Sequence, residues 1–155
     1  MGCSPAEFTS RPGRSCGARR LGYAARVQPQ PDIRVTVRTL HLPQHSRPDR
    51  TVFAYFVRIE NHADLTYRLT RRFWRVTDGR GAVTEVEGEG VVGEMPLLAP
   101  GGVFEYDSFV TIEVPPGIMS GHYEFQDAWG ERVRAPIPEF RLDPNPEGGE
   151  PRLLN

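Results

Sequence analysis

Ile33, Val35 and Val37 alternate with Arg34, Thr36 and Arg38, the two-residue period of a strand with one buried and one wetted face. A polar loop follows, with prolines at 43 and 48 closing off strand pairing. The alternation returns over Val52 to Ile59, where Phe53, Tyr55, Val57 and Ile59 share one face. Ala54 and Phe56 make the other face apolar as well, which predicts a central strand. Asn61 to Asp64 reads as a turn, and Leu65 to Thr70 resumes the β pattern. Arg71 to Val76 alternates again, setting Trp74 and Val76 on one face and Phe73 on the other.

Turn residues punctuate the rest of the chain. Asp78-Gly79-Arg80-Gly81 predicts a tight hairpin with Val83 to Val86 as its return strand, because glycine accepts the positive φ of such turns. Beyond a glycine-rich loop (residues 88–93), Pro100-Gly101-Gly102 turns into a strand from Val103 to Ile112, and Pro115-Pro116-Gly117 breaks the chain again. His122 to Gln126 and Val133 to Ile137 read as two further strands joined by the turn at 128–131, with Phe140 and Leu142 as last core anchors. Seven or eight strands, with turn signals every eight to twelve positions or about that and no convincing helix, predict an all-β, immunoglobulin- or fibronectin type III-like antiparallel β-sandwich. No internal repeat is visible, which argues against a propeller or solenoid.

Composition divides the 155 residues into one domain with tails. Only 38% of positions are hydrophobic, and Gly (16) and Pro (15) are abundant, which fits either disorder or a turn-rich β fold. Each applies to a different segment: residues 1–30 read as a disordered basic arm, 31–143 as the sandwich and 144–155 as a disordered tail. Residues 1–38 hold seven Arg against Glu7 and Asp32, a net +5, whereas the remainder holds twelve Arg against eighteen acids, a net −6. Such an arm can touch nucleic acid, but it lacks interleaved aromatics, so nucleic acid is not the expected partner. All nineteen basic residues are Arg, which excludes a Schiff-base or phosphate-loop lysine. Cys3 and Cys16 both lie in the arm; the sandwich therefore has no disulfide, thiolate metal site or cysteine nucleophile, and a reducing, cytoplasmic setting is expected. No apolar run approaches the length of a membrane span, and no secretory signal is visible.

Three groups of residues invite a chemical reading. Gly88-Glu89-Gly90-Val91-Val92-Gly93 fits G-x-G-x-x-G, but a dinucleotide loop works because a helix starts inside it. Here Pro96 and Pro100 oppose that helix, and Glu89 and Glu94 put negative charge beside the would-be phosphate, which favours a conformational role for the glycines. His41 and His45 have metal-like spacing, yet Pro43 lies between them in a loop; no serine sits in a nucleophile-elbow sequence. Glu85, Glu87 and Glu89 alternate on one strand face, where a solvated sheet edge is a simpler reading than a catalytic carboxylate pair. The run Arg71-Arg72-Phe73-Trp74-Arg75 has two readings: a surface that stacks bases or binds protein, or a core tryptophan whose neighbouring arginines pair with glutamates of the next strand.

Several motifs in series carry a family resemblance. Val52 to Asn61, Arg72-Phe73-Trp74-Arg75-Val76-Thr77-Asp78, Gly88 to Pro96, Phe104-Glu105-Tyr106 with Ser108, Pro116 to Tyr123 and Ile137 to Leu142 together resemble the ApaG family in unbroken order over about residues 31–143. The resemblance implies a fibronectin type III-like sandwich, in agreement with the strand count. It also implies small bacterial proteins without a settled biochemical role, and a related domain fused into eukaryotic adaptor proteins. The family's shared Arg and Trp fall on Arg72 and Trp74, and its glycine loop on Gly88, Gly90 and Gly93. Departures are Phe109 to Val114, where a small, Cys-containing stretch is the family pattern, and Phe73 in place of a common His.

These observations predict a non-enzymatic protein-interaction module whose surface is built on Arg72, Trp74, Gly88, Gly90, Gly93 and Glu94. No catalytic residue, metal ligand or cofactor is assigned. The partner is expected to be another protein, with self-association through sheet edges as an additional mode and no membrane contact. The alternative is anion or nucleotide binding, divalent-metal-linked or not, at Gly88–Gly93.

Overall fold

The structure, a computed structural model, describes residues 31–145; the expectations for the basic arm (1–30) and for residues 146–155 of the tail lie outside these residues. Eight strands are formed among the described residues: β1 (Ile33–His41), β2 (Thr51–Asn61), β3 (Tyr67–Thr77), β4 (Val83–Glu89), β5 (Leu97–Leu98), β6 (Val103–Ile112), β7 (Gly117–Gln126) and β8 (Arg132–Leu142). Among the described residues the one helical element is a 3-10 turn at Pro43–His45. Two antiparallel sheets result, one ordered β1-β2-β6 and the other β4-β3-β7-β8, with the two-residue β5 also pairing with β3. The expected two-sheet, all-β architecture is therefore the observed one.

The inner faces meet as the alternation requires. Phe53, Tyr55, Val57 and Ile59 of β2 are all buried, and so are Leu69, Trp74 and Val76 of β3 and Met119, Tyr123 and Phe125 of β7. The segments 65–70 and 71–76 prove to be one strand with an interruption. Leu69 faces Phe125 and Arg71 faces Glu124, so Thr70 is a bulged residue with no partner of its own. The bulge shifts the parity of the strand: Tyr67 and Leu69 point inward before it, and Trp74 and Val76 after it. Without that extra residue Phe73 would take the core position and Trp74 would face water. β7 also begins at Gly117 rather than at the expected His122, because Met119, buried opposite Phe140, extends the ladder past it.

The lateral edges differ. β8 carries Pro136 and Pro138 and a register slip between its pairings with Met119 and Gly121, and β1 packs alongside it. Proline and bulges are devices that stop an edge from recruiting another strand. On the opposite side β4 and β6 both have an open edge among the described residues, and β4 has no fully buried residue.

Candidate functional site

The glycine loop is a small hairpin leaving the end of β4. Gly90, at φ +63°, donates its N–H to the Thr70 carbonyl over 2.7 Å. Val91 is fully buried, and its N–H and carbonyl exchange two 2.8 Å bonds with Glu94. Between them Val92 (φ +43°) and Gly93 (φ +81°) both lie on the left-handed side, the pattern of a two-residue type I′ turn. Gly93 suits its place. Val92 does not, since a β-branched residue at positive φ is a steric outlier, and its side chain is 54% exposed.

Arg72 explains why the loop holds this shape. The bulge at Thr70 turns its side chain toward the inner side of β3, where it lies against Gly88: a β-carbon there would sit 3.1–3.2 Å from the guanidinium. From that position Arg72 Nη1 donates to the carbonyls of Glu89 (3.0 Å) and Gly90 (2.9 Å). Charge-assisted bonds of this kind are the stronger ones, and lysine cannot reproduce the planar fork. The far limb is tied by Arg68 Nη1 to the Met95 carbonyl (2.9 Å) and by the Leu69 N–H to the Pro96 carbonyl (2.9 Å).

Near Arg72 the core carries a cluster of hydroxyl-bearing aromatic side chains. The hydroxyls of Tyr106 and Tyr123 hydrogen-bond to each other, with Tyr55 and Trp74 packed alongside. Burial pushes the pKa values of all three tyrosines upward, and the Arg72 charge opposes the shift in each. Trp74 is 3% exposed, with ring centroids 5.3 Å from Tyr55 and 6.1 Å from both Tyr123 and Phe140. Its Nε1–H lies near the Tyr106 hydroxyl without closing a hydrogen bond of good geometry.

Of the six residues singled out in the sequence, Arg72 meets both Gly88 and Gly90, and Gly93 and Glu94 form the exposed end of the hairpin. Trp74 is a correction: its indole is enclosed between the sheets and supports the surface from behind. The expected Arg–Glu pairing holds for Arg75 with Glu85 (2.6 Å) and Arg71 with Glu87 (3.0 Å), but Arg72 turns to backbone carbonyls instead. The G-x-G-x-x-G pattern makes no phosphate cradle. No helix follows it, and the N–H groups of Gly90, Val91 and Glu94 are spent on Thr70, Glu94 and Val91.

The histidines are dispersed: His62 contacts Glu60, His41 lies against Phe53, and His122 stacks on Phe73 at 5.0 Å. Burial, seconded by Arg134, lowers the His122 pKa. Sequence reasoning missed Val92, whose backbone angle nothing in the sequence announces. It also missed Asn61, read as a plain turn residue. Asn61 is 1% exposed; its amide donates to the carbonyls of Leu65 (2.8 Å) and Leu98 (2.9 Å) and accepts from the Ala63 N–H (2.9 Å). Among the described residues no helix is long and apolar enough to cross a membrane.

Comparison with known proteins places this geometry in a family. The family model described as the ApaG domain matches residues 41–127. Protein ApaG of Deinococcus radiodurans is 56% identical over 125 residues, covering 81% of this chain and 97% of the relative. Protein ApaG of Rhodospirillum centenum is 50% identical over 118 residues, covering 75% and 90%. A crystal structure described as the putative ApaA protein from Bordetella pertussis superposes with a TM-score of 0.70 at 41% identity, over 74% of this chain and 94% of that one.

Proposed function

The chain belongs to the ApaG family, and we propose that it is a non-enzymatic protein-interaction module that presents the Val91–Leu97 hairpin to a protein partner in the cytoplasm. We read the strand order, β4-β3-β7-β8 over β1-β2-β6, as a fibronectin type III-like frame for that hairpin.

One observation carries the reading: an exposed valine held in the left-handed region at the tip of a rigid turn. An L-residue there costs about 1–2 kcal/mol, and more with a β-branched side chain. Asn or Gly would relieve the strain and remove apolar surface from water. Folding therefore gains nothing from Val92. Met95 (39% exposed) and Leu97 (59%) extend the apolar tip along the same hairpin. Arg72 and Trp74 act as positioning residues, one clamping the loop carbonyls and the other filling the core beneath β3. A preorganised apolar tip rimmed by charge, here Glu89 and Glu94, is what a protein contact uses, since little order has to be imposed on binding. A sandwich without cysteine fits a reducing compartment.

The test is site-specific photocrosslinking in the source organism. A photoreactive residue at Val92 is expected to give discrete adducts that vanish when Arg72→Ala loosens the loop. The same probe at exposed Glu139, on the proline-protected strand β8, is the control. Identical adducts from both positions, or adducts indifferent to Arg72→Ala, would overturn the proposal.

A further inference from the structure

The two sheets are unequal in width. Four full strands, β4-β3-β7-β8, face only three, β1-β2-β6, and at the closed side β1 and β8 pack together. The surplus strand is therefore β4, at the open side. Its register puts Val86 opposite Trp74 and Gly88 opposite Arg72, so both lie on the inner side of their sheet. Val86 is nevertheless 45% exposed, because nothing of the other sheet lies over it. The strand that stops short is β6, ten residues long and bonded to β2 alone, with a free lateral edge among the described residues. Neither proline nor a register slip protects this edge, in contrast to β8. Its outer face carries Glu105, Asp107 and then Phe109, which is 69% exposed.

We propose that the β6 edge is a strand-addition site for one extended segment of another protein, which would complete the short sheet as a fourth strand and cover Val86. The inference rests on the interaction-module reading and gives it a second surface and a ligand class.

The shape of the gap selects the occupant. A second copy cannot use it through its own β6, because that strand arrives already covered by its own facing sheet, in the space β4 occupies. A lone strand fits. Main-chain bonds to β6 supply affinity, and side chains alternate between the two faces. Residues pointing inward meet Val86 and must be apolar. On the outer face Glu105 already pairs with Arg58 at 2.7 Å, so Asp107 is the acid that favours Arg or Lys opposite it, and Phe109 favours an aromatic or β-branched neighbour. The fitting ligand is a segment that alternates β-branched with basic residues.

The chain itself contains such a sequence. Residues 33–40, Ile-Arg-Val-Thr-Val-Arg-Thr-Leu, form β1 and flank β2 on its other side. The experiment uses an acetylated, amidated peptide of that sequence at millimolar concentration, titrated into the isotope-labelled full chain and followed by NMR. Shifts are expected at alternate amides of β6 and at the Val86 methyls. A peptide with proline at its third and fifth positions should produce neither. Asp107→Arg should weaken the original peptide roughly fivefold, and exchanging the two peptide arginines for glutamate should restore binding to that variant. Absence of β6 shifts, shifts confined to β1 and β2 through displacement of the native strand, or equal effects from the proline peptide would each overturn the proposal. None of these would touch the hairpin reading, which is tested separately at Val92.

Discussion

Replacing Gly90 and Gly93 by alanine, one at a time, separates two reasons for a glycine. Both lie at positive φ, so each alanine should cost about 1 kcal/mol or slightly more for a left-handed backbone. At Gly93 that is the whole effect, because a β-carbon there meets nothing within 4 Å. At Gly90 the β-carbon would land on the Glu94 carbonyl oxygen, deep inside van der Waals contact, and no rotamer can relieve a clash between a β-carbon and backbone. The hairpin must reopen. It then loses the two Val91–Glu94 bonds, about 1 kcal/mol each, and exposes Val91, worth roughly 1.5–2 kcal/mol. Reopening also releases the roughly 1–2 kcal/mol of strain at Val92, so Gly90→Ala should cost about 3–4 kcal/mol, a large share of the stability of a domain this size. Thermal and urea unfolding of the two variants give the comparison. At about 4 °C per kcal/mol, Gly90→Ala should melt about 12–16 °C lower and Gly93→Ala about 4–6 °C lower. Equal losses would refute the steric argument and leave only the backbone angle as the function of these glycines.

Three other outcomes follow from the core. Trp74 is buried and Trp129 is 78% exposed, so Trp129→Phe should leave a blue-shifted emission spectrum and Trp74→Phe a red-shifted one, with a stability cost of about 1–2 kcal/mol confined to the latter. Tyr55, Tyr106 and Tyr123 have pKa values raised by burial, so the neutral phenols they hold contribute stability that is fully present below the unfolded value of about 10. Above it, stability should fall by about 1.4 kcal/mol per pH unit for each tyrosine still protonated in the fold, read as urea midpoints from pH 8 to 11 beside tyrosinate absorbance; simple titration near pH 10 without loss of stability would contradict the burial. Asn61→Ala strands the Leu98 and Leu65 carbonyls and the Ala63 N–H, and should cost about 3 kcal/mol in urea unfolding, whereas Asn145→Ala, at an exposed position, should cost next to nothing.

Much of the architecture was legible in the sequence, because local chemistry dictates it. Alternation in β1 and β2 prescribes which face is dry, and the doubly apolar Val52 to Ile59 marks a central strand. Glycine and proline mark the corners, since few other residues take those backbone angles. Arg72 and the glycines could be nominated from their pattern, and the Arg75–Glu85 and Arg71–Glu87 pairs from complementary charge on adjacent strands.

What the sequence could not supply depends on register. Whether Trp74 or Phe73 enters the core turns on one bulged residue at Thr70, and a bulge is a property of two paired strands, read from neither alone. The same shift turns Arg72 toward Gly88, so its partners are two carbonyls some seventeen residues away that carry no side-chain signal. Val92 is an ordinary valine in the sequence; closure of the Val91–Glu94 hairpin is what forces its backbone into the left-handed region. The open β6 edge likewise exists only because four strands face three, a count fixed by how the sheets assemble. Periodicity decides what each strand buries, and the packing of strands on one another decides which groups are left to meet a partner.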